Sequence, residues 1–231
     1  MIEREKLLIE LESLSEEKFR IFNEKIVHTS KYRVIGVRMP DLKAIAKEQH
    51  RADYKEIFEL PYDSFEEIII KGVAVGFADA PLCEKEPYII RYAEMIDNWA
   101  ECDCFCSCIK VKKSEEDDLL RLAERLMYRK EEFVSRVGTV LMFSKFSDEP
   151  TVRKALAIYD RLPSGEYYRD MAVAWGISVY CVKYPQLIVK YLEHSPISIA
   201  VKLAAAQKIR DSRRISDEVK HRVTDTVNLQ R

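Results

Sequence analysis

The pattern of hydrophobic positions predicts helices along most of the chain. Apolar residues recur at steps of three and four, the period of a helix with one buried face. In residues 64–78, for example, Phe65, Ile69, Val73 and Phe77 share such a face. The same spacing predicts helices over residues 4–13, 16–27, 88–96, 115–129, 131–146, 150–161, 165–182, 185–193, 197–210 and 216–228, and others that begin at Met39 and Trp99.

Local signals predict where some of these helices begin. Pro40 and Pro87 fit the first turn of a helix, where the missing N–H costs nothing. Asp97 or Asn98 is predicted to cap the helix that begins at Trp99. On the second helix, Phe19, Phe22 and Ile26 share one face.

The connections between these segments are short, and two helices recur about every 35–40 residues. That period favours an all-α fold, an α-solenoid of stacked antiparallel helix pairs of the HEAT type, in a single domain over residues 1–231. The 6 Gly and 8 Pro are too few for the many tight turns of a β-rich protein.

Composition and charge limit the cellular compartments and the kinds of partner that we expect. The chain has no apolar run long enough to span a membrane and no secretion-signal pattern, so a cytoplasmic protein is expected. The net charge of −1 hides an asymmetry, because residues 151–231 carry 14 Lys+Arg and 8 Asp+Glu, a net of +6. The first 150 residues carry a net of −7. A basic C-terminal third is compatible with a polyanion partner.

The cysteine run from Cys102 to Cys108 suggests a metal site, but helical geometry argues against one. Cys102 and Cys106 share one face of a helix, while Cys104 and Cys108 lie on nearly the opposite face. Four such thiolates do not close on one ion. We therefore expect small buried side chains at helix contacts, and no bound metal.

Helical packing alone leaves a few residues unexplained. Trp99 and Asp103 stand one turn apart and project from the same face, although Asp103 alone could equally bond a neighbouring helix terminus. Arg136 shares an apolar stripe with Phe133, Val137 and Val140. An arginine in that setting needs an anion, and Asp103 and a phosphate are both candidates. Trp175, taken singly, fits a core position better than a site.

Five short motifs, in order, carry a resemblance to a known family. They are Ile35-Gly36-Val37-Arg38-Met39-Pro40-Asp41-Leu42, Trp99-Ala100-Glu101-Cys102-Asp103, Ser135-Arg136-Val137-Gly138, Ala174-Trp175-Gly176 and Gln207-Lys208-Ile209-Arg210-Asp211-Ser212. With these motifs the chain resembles, over nearly its whole length, the AlkD family of HEAT-like-repeat DNA glycosylases, which act in DNA alkylation repair.

The resemblance implies excision of positively charged alkylpurines from alkylated duplex DNA, with no cofactor, no metal and no obligate protein partner. On it, Asp103 matches the catalytic aspartate, Trp99 and Trp175 match aromatic walls, and Arg136 matches an arginine that contacts phosphate or the active site. The basic C-terminal third would supply DNA-phosphate contacts. The predicted contacts are Lys208, Arg210, Arg213 and Arg214.

The chain departs from the family pattern in two places. Ser178 stands where active members carry a second arginine, one turn after the later tryptophan. The second helix lacks a tyrosine expected near its end and runs through residues 28–30 into the Ile35-Gly36 motif. Two alternatives therefore stay open: a catalytically weak or inactive DNA-binding paralogue, and a HEAT-type protein-interaction scaffold.

Overall fold

The computed structural model describes residues 4–27, 31–49 and 53–230, and these residues are mostly helical. Fourteen α-helices are found within them: α1 (Arg4–Ser13), α2 (Glu17–Val27), α3 (Met39–Gln49), α4 (Tyr54–Glu59), α5 (Phe65–Phe77), α6 (Leu82–Met95), α7 (Trp99–Cys108), α8 (Glu116–Met127), α9 (Glu132–Lys145), α10 (Glu149–Tyr159), α11 (Tyr167–Lys183), α12 (Pro185–His194), α13 (Ile199–Asp211) and α14 (Asp217–Asn228). A 3-10 turn occupies Lys113–Glu115. The same residues contain no β-strand, and a single β-bridge pairs Arg33 with Ser64.

The helices pack in the manner of a helical-repeat solenoid, which confirms the predicted fold class. The chain divides into two compact units, Met1–Leu119 and Leu120–Arg231. In the first, α5 packs between α3 and α7; in the second, α11 packs between α9 and α13, and α12 packs on α14. Contact between helices two apart in the chain arises when one helix of each repeat stacks on its equivalent in the next. The single domain over residues 1–231 stays a prediction.

The repeat is somewhat shorter than its predicted 35–40 residues. In the first unit the stacked helices begin at Met39, Phe65 and Trp99, at intervals of 26 and 34 residues. In the second they begin at Glu132, Tyr167 and Ile199, at intervals of 35 and 32 residues.

Helix α5 is the centre of the first unit. Every residue from Phe65 to Gly76 is buried, so the apolar stripe recognised in the sequence is only one of its covered faces. Its start is fixed by a capping box, in which the Ser64 hydroxyl accepts the Glu67 N–H at 3.3 Å and the Glu67 carboxylate accepts the Ser64 N–H at 3.1 Å. Arg4 on α1 donates to the same carboxylate at 2.7 Å, which docks the first helix.

A buried carboxylate on α5 holds the segment that leads into α3. Glu66, with no exposed surface, accepts the backbone N–H groups of Ile35, Gly36 and Val37 at 2.9, 2.8 and 3.4 Å. Gly36 has a φ of +99°, and a Cβ there would lie 2.7 Å from the Cβ of Arg20. Residues 35–37 are therefore packed closely between α2 and α5.

The predicted start of α6 is wrong. The helix begins at Leu82 rather than at residue 88, and Pro87 lies inside it. Its first amide is satisfied from outside the helix, since the Glu115 carboxylate accepts the Leu82 N–H at 2.7 Å. A contact 33 residues away along the chain therefore starts the helix one and a half turns before its proline.

Helix α4 was not predicted from the sequence. It has only six residues, too few for a clear periodic pattern. Asp53 caps its start by accepting the Lys55 N–H at 3.0 Å. Its end is stabilised by Lys71 of α5, a buried lysine whose ammonium donates to the carbonyl oxygens of Phe58 and Leu60.

The apolar face predicted on α2 is not the face that the helix buries. Asn23 and Val27 are its buried residues, whereas Phe22 is 55% exposed and Phe19 is half-buried. The Phe19 ring packs under the Arg38 guanidinium, 4.8 Å from the ring centre. This aromatic residue faces the loop before α3.

Replacing Glu66 by Ala should destabilise the protein strongly. The change leaves three buried N–H groups without their acceptor, at about 1–3 kcal/mol for each unsatisfied group. We expect a loss of about 3 kcal/mol or more in the free energy of unfolding, measured by urea denaturation. Glu48→Ala, at an exposed position on α3, is the matched control and should change it by less than about 0.5 kcal/mol. Equal losses for the two variants would contradict this role of Glu66.

Candidate functional site

The predicted catalytic residue lines a cavity of about 270 Å³ in the first unit. Helix α7 contributes Trp99, Asp103 and Cys104 to its wall. The remaining wall includes Phe19 and Asn23 from α2, Val37 and Met39 from the segment held by Glu66, and Lys43 from α3. We call this space the Asp103 cavity. Its surface is largely apolar, with one carboxylate and one ammonium group among these side chains.

Trp99 is positioned by the cap of its helix and by a hydrogen bond from its indole ring. The Asn98 side chain accepts the Glu101 N–H at 3.0 Å and starts α7 at Trp99, as predicted. The indole Nε1–H donates to the carbonyl oxygen of Ile26 at 2.9 Å, in the last turn of α2. The last carbonyl groups of a helix have no hydrogen-bond partner within that helix, and the Ile26 carbonyl is one of them. The half-buried ring is thereby fixed as a wall of the Asp103 cavity.

Asp103 lies one turn after Trp99 and is half-buried, so its carboxylate is accessible from the cavity. Lys43 reaches the same space from α3, with its Nζ 3.5 Å from the Ser107 Oγ on α7. The sequence pattern did not identify Lys43, Asn23 or Phe19 as site residues. Each sits on a different element from Asp103, and only tertiary packing brings them to it.

A second carboxyl group on α7 is buried behind the site. Glu101 has no exposed surface; its Oε2 accepts the Asp97 N–H at 3.1 Å, while its Oε1 has no hydrogen-bond partner in the described part of the chain. Burial raises the pKa of Glu101 to about 8. This side chain supports the start of α7 and does not face the Asp103 cavity as a lining residue.

The cysteine run packs as predicted. Cys102, Cys104, Cys106 and Cys108 are all buried, and the Cys104 Sγ lies 3.2 Å from the Met39 Sδ. The hydrogen bond with Cys108, together with burial, raises the pKa of the Cys104 thiol. The described residues contain no group of three or more His, Cys, Asp or Glu side chains arranged to hold a metal ion.

The second unit places Trp175 at another cavity, of about 400 Å³. The indole ring is half-buried and meets the Phe143 ring of α9 edge-on, with centroids 4.7 Å apart. Lys208 and Arg214 line the same space. Ser178, where the family pattern has an arginine, is nearly buried and donates its hydroxyl to the Trp175 carbonyl at 2.8 Å. It therefore adds no positive charge to this cavity.

Arg136 is buried, at 5% exposure, and joins α9 to α11. Its Nη1 donates to the carbonyl oxygen of Tyr168 at 2.8 Å. Glu132 lies one turn before Arg136 on α9, and its Oε1 accepts the Tyr168 N–H at 2.5 Å. The two side chains of α9 therefore clamp the backbone at the start of α11, the helix that carries Trp175. The predicted anionic partner of Arg136 stays a prediction.

The four basic residues predicted to contact phosphate lie on and after α13. Arg210, Arg213 and Arg214 are exposed and Lys208 is half-buried. Arg210 donates to the Gln207 side chain and to the Thr224 Oγ1, the latter at 3.5 Å. The structure thus brings Lys208 and Arg214 to Trp175, and Trp99 to Asp103. Residues 28–30, which follow the second helix, lie outside the described residues.

These features define a class: a helical-repeat protein with an aromatic–carboxylate cavity on one set of stacked helices. Among the described residues, no helix combines the length and apolar character needed to cross a bilayer. The model of one family, the DNA alkylation repair enzymes, matches residues 7–214. The chain belongs to this family, as its resemblance to AlkD-type proteins predicted. A search of the curated proteins found no match.

The buried carboxyl of Glu101 predicts a pH-dependent stability. Between pH 4.5 and about 8 the folded protein keeps a proton that the unfolded chain has lost. The free energy of unfolding should therefore fall as pH rises through this window, by at most about 1.4 kcal/mol per pH unit. Glu101→Gln should remove that slope and be more stable than the unmodified protein near pH 8. Urea denaturation at pH 5, 6.5 and 8 measures it.

The control is Glu48→Gln, at an exposed site on α3, which should keep the slope of the unmodified protein. An unchanged slope in Glu101→Gln would show that Glu101 ionises normally in the folded state.

Proposed function

We propose that the protein is a monofunctional DNA glycosylase that excises cationic N3- and N7-alkylpurines from duplex DNA. One observation carries the proposal: Trp99 and Asp103 line a single cavity in a chain of the DNA alkylation repair family. An aromatic face beside a carboxylate suits a substrate that becomes positively charged at its sugar. The proposed reaction requires neither a metal nor a cofactor.

The chemistry needs little beyond that pair. An alkylated purine already carries a positive charge, so its bond to C1′ breaks with the electron pair leaving on the base, which becomes neutral. The sugar is left as an oxocarbenium-like cation. The Asp103 carboxylate stabilises that cation and orients a water, whose oxygen bonds to C1′ while one of its protons passes to the surrounding solvent. No general acid is required, because the leaving base does not need protonation.

The tryptophans bind the cationic groups through their rings. The face of an indole attracts a cation through its quadrupole, at about 0.5–2 kcal/mol depending on desolvation. The hydrogen bond to Ile26 holds the Trp99 ring in place, so substrate binding costs little further conformational entropy at this side chain. Trp175, packed against Phe143, offers a second ring at the cavity of its own unit.

The cationic residues of the second unit are the proposed contacts to the DNA backbone. Lys208, Arg210, Arg213 and Arg214 supply ammonium and guanidinium groups on and after α13. Phosphate neutralisation provides most of the sequence-independent affinity for DNA. Arg136 acts as a positioning residue for α11 through Tyr168, and as a contact to the active site on the family pattern.

One observation favours a second candidate, a DNA-binding paralogue with weak or no excision. Ser178 replaces a family arginine, and its hydroxyl bonds to the Trp175 carbonyl. The cavity beside Trp175 therefore lacks one of the cations of active members. This candidate shares the DNA interface of the first and differs in the rate of base release.

Substitution of Asp103 by Asn tests the glycosylase directly. The protein is incubated with methylated duplex DNA, and released methylpurines are quantified by chromatography under single-turnover conditions. We expect Asp103→Asn to lower the rate by at least about 100-fold, since it removes the negative charge that faces the developing cation. The isosteric amide preserves the shape of the cavity wall.

Asp117→Asn, an exposed position in the first turn of α8, removes the same charge and should leave the rate unchanged. Undetectable release by the unmodified protein at high concentration would exclude the glycosylase. DNA binding would then decide between the paralogue and a protein-interaction scaffold.

The interface on α13 is tested by the double variant Lys208→Ala/Arg210→Ala. Each lost phosphate contact should reduce the slope of log affinity against log salt by about 0.9 for duplex DNA. We therefore expect a slope smaller by about 2, with weaker binding at low salt, measured by fluorescence anisotropy. The control Lys130→Ala/Lys190→Ala removes two exposed lysines and should not change the slope. Binding that does not depend on salt would contradict a phosphate interface.

A further inference from the structure

A second cavity of the first unit is lined by lysines and is not part of the Asp103 site. It has a volume of about 410 Å³ and lies where α5 and α7 end. Its walls include Lys47 from α3, Phe77 from α5, Lys85 from α6, and Lys110 and Lys112 from the segment after α7. We call it the lysine cavity.

Lysines near helix C-termini often neutralise the terminal carbonyl groups, but here one of them already fills that role. Lys85, only 1% exposed, donates to the carbonyl oxygens of Ala78 and Lys110 at 3.1 and 2.5 Å. These carbonyls follow α5 and α7. The ammonium groups of the other three lysines are therefore available to a ligand in the cavity.

Two of those ammonium groups contact the same aromatic ring. The Nζ atoms of Lys47 and Lys110 lie 4.9 and 4.8 Å from the centre of the Phe77 ring. Cation–π contact holds both charges at the cavity wall without neutralising them. Two like charges near one ring repel each other, so an anion in the cavity would lower the energy of both.

The acidic residues of the cavity do not balance this charge. Four lysines line it against Asp79 and Glu115. The Glu115 carboxylate accepts the backbone N–H groups of Leu82 and Lys112 at 2.7 and 3.0 Å, and these bonds lower its pKa. In the described part of the chain, Lys47, Lys110 and Lys112 form no ion pair. The cavity therefore carries excess positive charge in a concave setting, which favours an anionic ligand.

The lysine cavity and the Asp103 cavity lie along the same stacked helices. Lys43 and Lys47 are one turn apart on α3, and each lines one of the two cavities. Asp103 lies within α7, and Lys110 follows two residues after that helix ends at Cys108. The two cavities are therefore neighbours, each lined by residues of α3 and of α7 or the segment that follows it.

We infer that the lysine cavity binds a backbone phosphate of the DNA strand close to the base presented to Asp103. Lys47, Lys110 and Lys112 supply the ammonium donors, and Phe77 offers an apolar surface to the neighbouring deoxyribose. Lys43, in the lining of the Asp103 cavity, binds the same strand beside the presented base. The inference rests on the DNA binding of the proposed function, and it does not require base release.

The double variant Lys47→Ala/Lys110→Ala tests this site. Its affinity for a fluorescent duplex of undamaged DNA is measured across a salt series, beside the control Lys113→Ala/Lys190→Ala. The control removes two exposed lysines outside the cavity, so the charge change is the same. We expect the first pair alone to reduce the slope of log affinity against log salt by about 1–2. Ethylation interference on the unmodified protein, bound to a second duplex that carries one alkylated purine, should mark a phosphate within a few nucleotides of that purine.

The outcomes separate this site from the proposed enzyme. If the unmodified protein binds DNA without releasing bases, and the salt slope falls only in the Lys47/Lys110 pair, the glycosylase fails and the phosphate site stands. Equal slopes for the two pairs would overturn the site even if base release is rapid. Inorganic pyrophosphate is titrated in parallel by isothermal calorimetry; binding of pyrophosphate at the lysines without any binding of duplex DNA would overturn the assignment to a DNA strand.

Discussion

The first unit depends on a single buried carboxylate, Glu66, which accepts three consecutive backbone N–H groups from residues 35–37. Without it, that segment would bury its amides without partners between α2 and α5. The segment delivers Val37 and Met39 to the Asp103 cavity and places Arg38 beside α2. A side chain on the central helix thus decides where the wall of the candidate site stands. The carboxylate is covered completely, and burial raises its pKa even though the N–H groups oppose that rise.

Buried or half-buried charged side chains also form hydrogen bonds with backbone groups elsewhere in the protein. Lys71 bonds the carbonyls at the end of α4, and Lys85 bonds those that follow α5 and α7. In the second unit, Glu132 and Arg136 hold the N–H and the carbonyl of Tyr168. Short helices and abrupt connections leave many terminal amides and carbonyls unpaired, and long charged side chains reach them. A repeat protein with few glycines can end its helices in this way.

Each unit has its own tryptophan and its own charged groups. The carboxylate of Asp103 and the ring of Trp99 belong to the first unit, while Trp175 and the four predicted phosphate contacts on and after α13 belong to the second. The basic excess of residues 151–231 fits DNA binding, and the acidic excess of the first 150 does not. The lysine cavity resolves part of that difficulty, because a local cluster of cations can bind phosphate within a unit of negative net charge.

The sequence by itself determined the helical class, most helix positions, a cap for α7 at Asp97 or Asn98, and the pairing of Trp99 with Asp103 on one face. These depend on spacing within one helix, which periodicity reads directly. It also indicated the family, through motifs spread over five helical segments. Only the tertiary structure decided the early start of α6, the existence of α4 and the presence of Lys43 beside Asp103. Each of these rests on a partner far away in the chain, such as Glu115 for Leu82 or Lys71 for Phe58. Local patterns contain no record of such contacts, because the residues meet only after the helices have packed.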